Sequence, residues 1–144
     1  MLEKKLQKLY FFIITPAFLI IFLFFVSGKL NHVVVLDKAG RLISTAIMVF
    51  TAITSTILPV WYKIILMKKF RTNKKITFET FAGYQYRIII TVAFSVYWVF
   101  PAYLYQLDEM PMVIIGFFVL YGLYYYYPSK KKIDAEKKLF EIDD

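Results

Sequence analysis

Four long runs of apolar residues alternate along the chain with short stretches that carry most of the charge. The runs cover approximately residues 9–26, 42–66, 84–105 and 110–127. A helix rises ~1.5 Å per residue, so about 20 apolar residues cross a hydrocarbon layer ~30 Å thick. The pattern therefore predicts an all-α fold, in which four transmembrane helices form a bundle. We treat residues 1–144 as a single membrane domain.

The segments between these runs are short. Residues 1–8 predict an amphipathic lead-in to the first span, because Leu2, Leu6 and Leu9 recur at helical spacing. Residues 27–41 form the first link, with a short apolar run at 33–36 and a turn at 37–40. A basic cytosolic link covers 67–83, and four residues, 106–109, join spans three and four into a hairpin. The charged tail, 128–144, is interpreted as either a short amphipathic helix or a disordered segment.

Composition supports the membrane interpretation. The chain is 60% hydrophobic and 20% aromatic, with a mean hydropathy of +0.59, whereas a soluble domain is about half apolar. Residues 1–28 could be a signal peptide, but their apolar run exceeds the usual ~7–15 residues and lacks an A-x-A site. We therefore expect no cleavage there.

The distribution of charge predicts the orientation. Fifteen of the 18 Lys and Arg residues fall in the N-terminal segment, in the tail, and in the central basic link together with the flanking Lys63 and Arg87. Positive residues favour the cytosolic side, so both termini are predicted to be cytosolic. Aromatic residues that prefer the membrane interface occur at the same predicted level, among them Tyr10, Trp61 and Tyr124.

Basic side chains at this level could also contact anionic phospholipids. The candidates for such contacts are Lys68, Lys69, Arg71, Lys74, Lys75 and Arg87. The alternative is that these charges only set the topology, and that Arg87 anchors its helix at the interface. The net charge of +8 does not predict nucleic-acid binding, because the basic residues adjoin apolar runs.

Small and hydroxyl-bearing residues predict which helix faces meet. Ser44, Thr51 and Ser55 fall on one side of the second span, and Thr91 and Ser95 on one side of the third. Small residues and interhelical hydrogen bonds drive helix association in lipid, so we expect these two stripes to meet. The alternative is that the same hydroxyls line a path or a ligand groove.

No catalytic, cofactor or metal motif is found. The chain lacks cysteine and has one histidine, which excludes thiolate catalysis and multi-histidine metal sites. His32 and Asp37 could form an acid/base pair, but no nucleophile accompanies them in sequence, and a solvated loop histidine is the simpler interpretation. The predicted span cores also lack the charged residues on which coupled transporters depend.

These observations favour a non-enzymatic interaction or accessory subunit of a bacterial inner membrane, with no cofactor. Its expected partners are the lipid bilayer with its anionic phospholipids, and either further copies of the chain or another membrane protein. One alternative is a small transporter or channel component with a path lined by Ser and Thr. Another is an enzyme that binds a phospholipid headgroup through Lys68, Lys69 and Arg87.

Overall fold

The structure is a computed structural model that describes residues 2–29, 40–73 and 76–142, with backbone alone for residues 28, 29 and 73. All regular secondary structure within these residues is helical, so the predicted all-α class is confirmed. The 33–36 run, the His32–Asp37 pair and the predicted lipid contacts Lys74 and Lys75 lie outside the described residues.

The helices follow one another through short connections. Their bounds are α1 Leu2–Lys29, α2 Arg41–Ala52, α3 Leu58–Asn73, α4 Phe78–Ser95, α5 Val99–Leu104, α6 Glu109–Tyr125 and α7 Lys130–Leu139. A π-helical turn, Ile53–Ile57, joins α2 to α3, and a 3-10 turn, Val96–Trp98, joins α4 to α5.

Both irregular turns come shortly before a proline. Pro59 has no N–H to donate to the carbonyl of Ser55, and its ring would clash with that carbonyl in a regular helix. The π turn relieves this clash, and the N–H of Leu58 instead donates to Ile53 O. The 3-10 turn precedes Pro101 in the same way. The helix that starts at Arg41 therefore continues through Pro59.

Three helical stretches are long and apolar enough to cross a membrane: Leu2–Ser27, Arg41–Thr72 and Phe78–Leu104. The pair α6 and α7 passes the same test only when taken together, and these two helices meet at 72°. The apolar part of this pair is α6, since α7 carries charged residues through most of its length.

Helix α4 lies at the centre of the fold, where it contacts α1, α3, α6 and the π turn. Its buried side chains include Phe81, Ile89 and Val92. Helix α1 presents Leu6 to this core, whereas Phe12 on its other face is 77% exposed. Such apolar exposure fits a helix that meets lipid rather than water.

Several element bounds differ from the predicted ones. Most of the predicted basic link 67–83 is helical, since α3 continues to Asn73 and α4 begins at Phe78. The side chain of Thr77 explains this early start, because its hydroxyl caps α4 by accepting from the N–H of Thr80 at 3.3 Å. In the tail, the helical alternative is the one observed, over Lys130–Leu139.

Candidate functional site: a groove between α3 and α4

A groove with a volume of about 530 Å³ opens between α3 and α4. It is lined by Trp61, Tyr62, Ile65, Leu66, Lys69, Glu79, Thr80, Gly83, Tyr84 and Arg87. Leu66 and Tyr84 are buried, whereas Trp61 and Ile65 are about half exposed. The groove therefore has a closed floor and an apolar wall that is open to its surroundings.

Helical spacing explains why these residues share one groove. Trp61, Ile65 and Lys69 are four residues apart on α3, so they lie on one face. Glu79, Gly83 and Arg87 have the same spacing on α4. The two helices contact each other, and only residues 74–77 connect them, so these two faces meet.

Three charged side chains line the groove: Lys69, Glu79 and Arg87. All three are exposed, and none of them makes an ion pair or a side-chain hydrogen bond with the described residues. Of the predicted lipid contacts, the groove thus brings together Lys69 and Arg87. Lys68 and Arg71 are exposed but do not line it.

Gly83 gives the groove its depth. A Cβ atom added there would meet no heavy atom within 4 Å, so the space beside this glycine is open. The sequence analysis did not single out Gly83. Its spacing of four residues from both Glu79 and Arg87 is the signal that could have done so.

The predicted polar stripes are largely in the interior. Thr51, Ser55 and Ser95 are fully buried, whereas Ser44 and Thr91 are partly buried. Each buried hydroxyl donates to a carbonyl of its own helix: Thr51 to Ile47 O at 2.7 Å, Ser55 to Thr51 O at 2.7 Å and Ser95 to Val92 O at 2.6 Å. Thr91 likewise donates to Arg87 O at 2.8 Å. These hydroxyls are therefore used within their own helices rather than between them.

Helix α6 approaches the π turn closely at Gly122. A Cβ added at Gly122 would lie 3.1 Å from Ser55 Cβ, 3.2 Å from Ser55 O and 3.4 Å from Val92 Cγ1. Only glycine permits this approach without displacement of its neighbours. The sequence analysis did not single out Gly122.

At the same end of the molecule as the groove, α7 folds back over the helices. Phe140 is 1% exposed and its ring contacts Phe70 and Phe81, with centroids 5.8 Å and 6.4 Å apart. Ile133, on the same helix, is buried too. This apolar anchoring explains why the charged tail forms a packed helix.

Glu136 of α7 connects this helix to α3 and α4. Its carboxylate accepts a hydrogen bond from the side-chain amide of Gln85, which is buried, and lies 3.8 Å from Lys63 Nζ. Lys132 lies over the Tyr125 ring at 4.3 Å. Partial burial lowers the pKa of the Lys132 ammonium, Lys63 adds to this effect, and Glu136 opposes it.

No group of three or more His, Asp or Glu side chains among residues 2–29, 40–73 and 76–142 could hold a metal ion. No protein-family model matches the chain, and no match was found among curated proteins or among solved structures either. The function must therefore be inferred from the geometry and chemistry of the chain itself.

Proposed function

We propose that this chain is a non-enzymatic interaction or accessory subunit of a cell membrane, most simply a bacterial inner membrane. Four spans cross the bilayer in this proposal: α1, α2 with α3, α4 with α5, and α6. Both termini are cytosolic, and α7 lies at the cytosolic surface. The length and apolarity of the helices support it, as does the concentration of Lys and Arg at the proposed cytosolic ends.

The observation that best supports the accessory role over transport is how the buried hydroxyls are hydrogen-bonded. The side chains of Thr51, Ser55 and Ser95 donate within their own helices. The narrow separation of Gly122 from Ser55 and Val92 leaves no room for a solute between α6 and the buried Ser55 hydroxyl. Both facts support a packing seam rather than a path for transport.

Reporter fusions test the proposed threading. An enzyme reporter that is active only in the cytosol, fused after Asp144, should be active. A reporter that is active only in the periplasm should be active when inserted in the short 106–109 link. The opposite pattern would overturn the proposed orientation.

Flux measurements separate the accessory role from transport. Proteoliposomes that contain the chain should be no more permeable to ions or small solutes than protein-free liposomes. A Thr51→Ala, Ser55→Ala double variant removes both hydroxyls without adding volume, so it should fold and leave permeability unchanged. Solute flux that the native chain supports and the double variant alters would favour the transporter.

Native mass spectrometry from mild detergent tests the interaction role directly. We expect a defined assembly, either of several copies of the chain or with one other membrane protein in a fixed ratio. A chain isolated only as a monomer, from membranes at native expression, would count against the accessory role.

A further inference from the structure

We propose that the groove between α3 and α4 binds an anionic phospholipid of the cytosolic leaflet. The headgroup phosphate lies between Lys69 and Arg87, and an acyl chain lies along Trp61 and Ile65. This inference rests on the proposed function for placing the groove at the membrane surface and for assigning that surface to the cytosolic leaflet.

The first support is the pair of unpartnered cations. Lys69 and Arg87 line the same groove, and neither makes an ion pair with any residue that the structure describes. Arginine and lysine donors bind phosphate oxygens through charge-assisted hydrogen bonds, which are stronger than neutral ones. A phosphate between them would give both side chains a partner.

The second support is the spacing of these groups along the groove. Arg87 lies eight residues beyond Glu79, or about 12 Å along α4 at ~1.5 Å per residue. Gly83 lies midway and leaves open space beside it. Lys69 projects from the cytosolic end of α3, and Arg87 lies deeper, on the membrane side of Gly83. Long basic side chains extend towards the interface, so a phosphate can lie at the level of Gly83 between the two.

The third support is the apolar wall, which favours a lipid over a soluble phosphate ester. Trp61 is 55% exposed and Ile65 is 48% exposed, and they lie eight and four residues before Lys69 on one helical face. Below the headgroup level, such a wall is stabilised by contact with an acyl chain. A soluble ester would leave it uncovered.

Glu79 restricts which lipid headgroups the groove can bind. Two cations and one carboxylate give the groove a formal charge of +1, which complements a single negative charge. A headgroup hydroxyl could donate to the Glu79 carboxylate. Phosphatidylglycerol, with one phosphodiester charge and two hydroxyls, is therefore the probe that fits best.

Lipid binding can be measured by native mass spectrometry of the purified full chain, titrated with phosphatidylglycerol and with phosphatidylcholine of matched acyl chains. The native chain should retain phosphatidylglycerol preferentially. Replacing both groove cations, Lys69→Gln with Arg87→Gln, should weaken this binding by roughly thirtyfold. The matched control, Lys68→Gln with Arg71→Gln, removes the same charge outside the groove and should change binding by less than about threefold.

A second pair of variants tests the groove without changing charge. Gly83→Leu fills the open space, and should weaken phosphatidylglycerol binding while leaving all three charged residues in place. Gly116→Leu is the matched control, because a Cβ at Gly116 also meets no heavy atom within 4 Å and this residue does not line the groove. Thermal unfolding in lipid-free detergent shows whether each variant is folded. If the double charge variant does not fold, Gly83→Leu still tests the groove.

Four results would overturn the proposal. Equal weakening by the two charge-neutralised pairs would mean a diffuse attraction, and unchanged binding by Gly83→Leu would mean that the groove is not the site. Equal retention of phosphatidylcholine, or displacement of the lipid by soluble glycerol phosphate, would mean a different ligand. None of these measurements depends on which side of the membrane the termini occupy, so failure of the threading and failure of the lipid site are distinguishable.

Discussion

Replacing Gly122 by alanine should weaken the contact between α6 and the π turn. The new methyl group would lie 3.1 Å from Ser55 Cβ and 3.2 Å from Ser55 O. Optimal contacts between heavy atoms lie at ~3.5–4.0 Å, so both atoms must move away by a few tenths of an ångström. One of them is a backbone oxygen in the turn that accommodates Pro59, where displacement is costly.

Two opposing terms set the magnitude. Overpacking of this kind costs about 1–3 kcal/mol. An alanine in a helix is more favourable than glycine by about 1 kcal/mol. The net loss for Gly122→Ala should therefore be about 0–2 kcal/mol. Gly116→Ala gains the same helix term with no heavy atom within 4 Å, so it should raise stability by up to ~1 kcal/mol.

The informative quantity is the difference between these two variants, expected at about 1–3 kcal/mol, because the helix term cancels. Unfolding in mixed micelles with an increasing fraction of denaturing detergent, followed by tryptophan fluorescence, measures it. Equal stability of Gly122→Ala and Gly116→Ala would refute the close approach of α6 to Ser55.

Two other comparisons use the same assay. Phe140→Ala should weaken α7 docking by about 3–5 kcal/mol, since the ring is buried. Leu139→Ala, at the exposed neighbouring residue, should change stability by less than ~0.5 kcal/mol. Limited proteolysis of the tail reports the loss of docking, and equal protease sensitivity of the two variants would contradict the expected docking. Thr51→Val should cost less than Tyr97→Phe, because the Thr51 hydroxyl donates only within its own helix. Tyr97→Phe should cost about 0.5–1.5 kcal/mol because it removes a hydrogen bond to α1 from the 3-10 turn. The reverse order would show that the Ser and Thr hydroxyls hold the helices together.

The helical class and the apolar stretches could be predicted because both depend on local pattern. Long apolar runs have few alternatives to a membrane helix, and the structure has helices over all four of them. The irregular turns next to Pro59 and Pro101 were harder to predict. The sequence predicts that a proline disturbs a helix, but not whether a π turn, a 3-10 turn or a bend absorbs the disturbance.

The groove could be predicted only in part. The basic residues near the interface were identifiable from charge alone. Which two of them share a groove depends on where α3 ends and α4 begins, and the cap at Thr77 that starts α4 was not recognised. The packing of α7 could not be predicted for a related reason, since it depends on the burial of only two apolar residues of the tail, Ile133 and Phe140, and on the contacts of Glu136 with Gln85 and Lys63.

Tyrosine has a role in this fold that the sequence analysis assigned to serine and threonine. A Ser or Thr hydroxyl is short enough to reach the carbonyl three or four residues earlier in its own helix, and that is where Thr51 and Ser55 donate. A tyrosine hydroxyl lies too far from its backbone to do this and reaches a neighbouring helix instead. Tyr10 donates to Leu123 O and Tyr97 to Ile13 O, each at 3.0 Å. Because α1 takes part in both bonds, tyrosine hydroxyls supply directional contacts between α1 and the rest of the fold, beside the apolar packing of residues such as Leu6. The same residue type that the sequence predicts at the membrane surface thus also supplies directional contacts inside the fold.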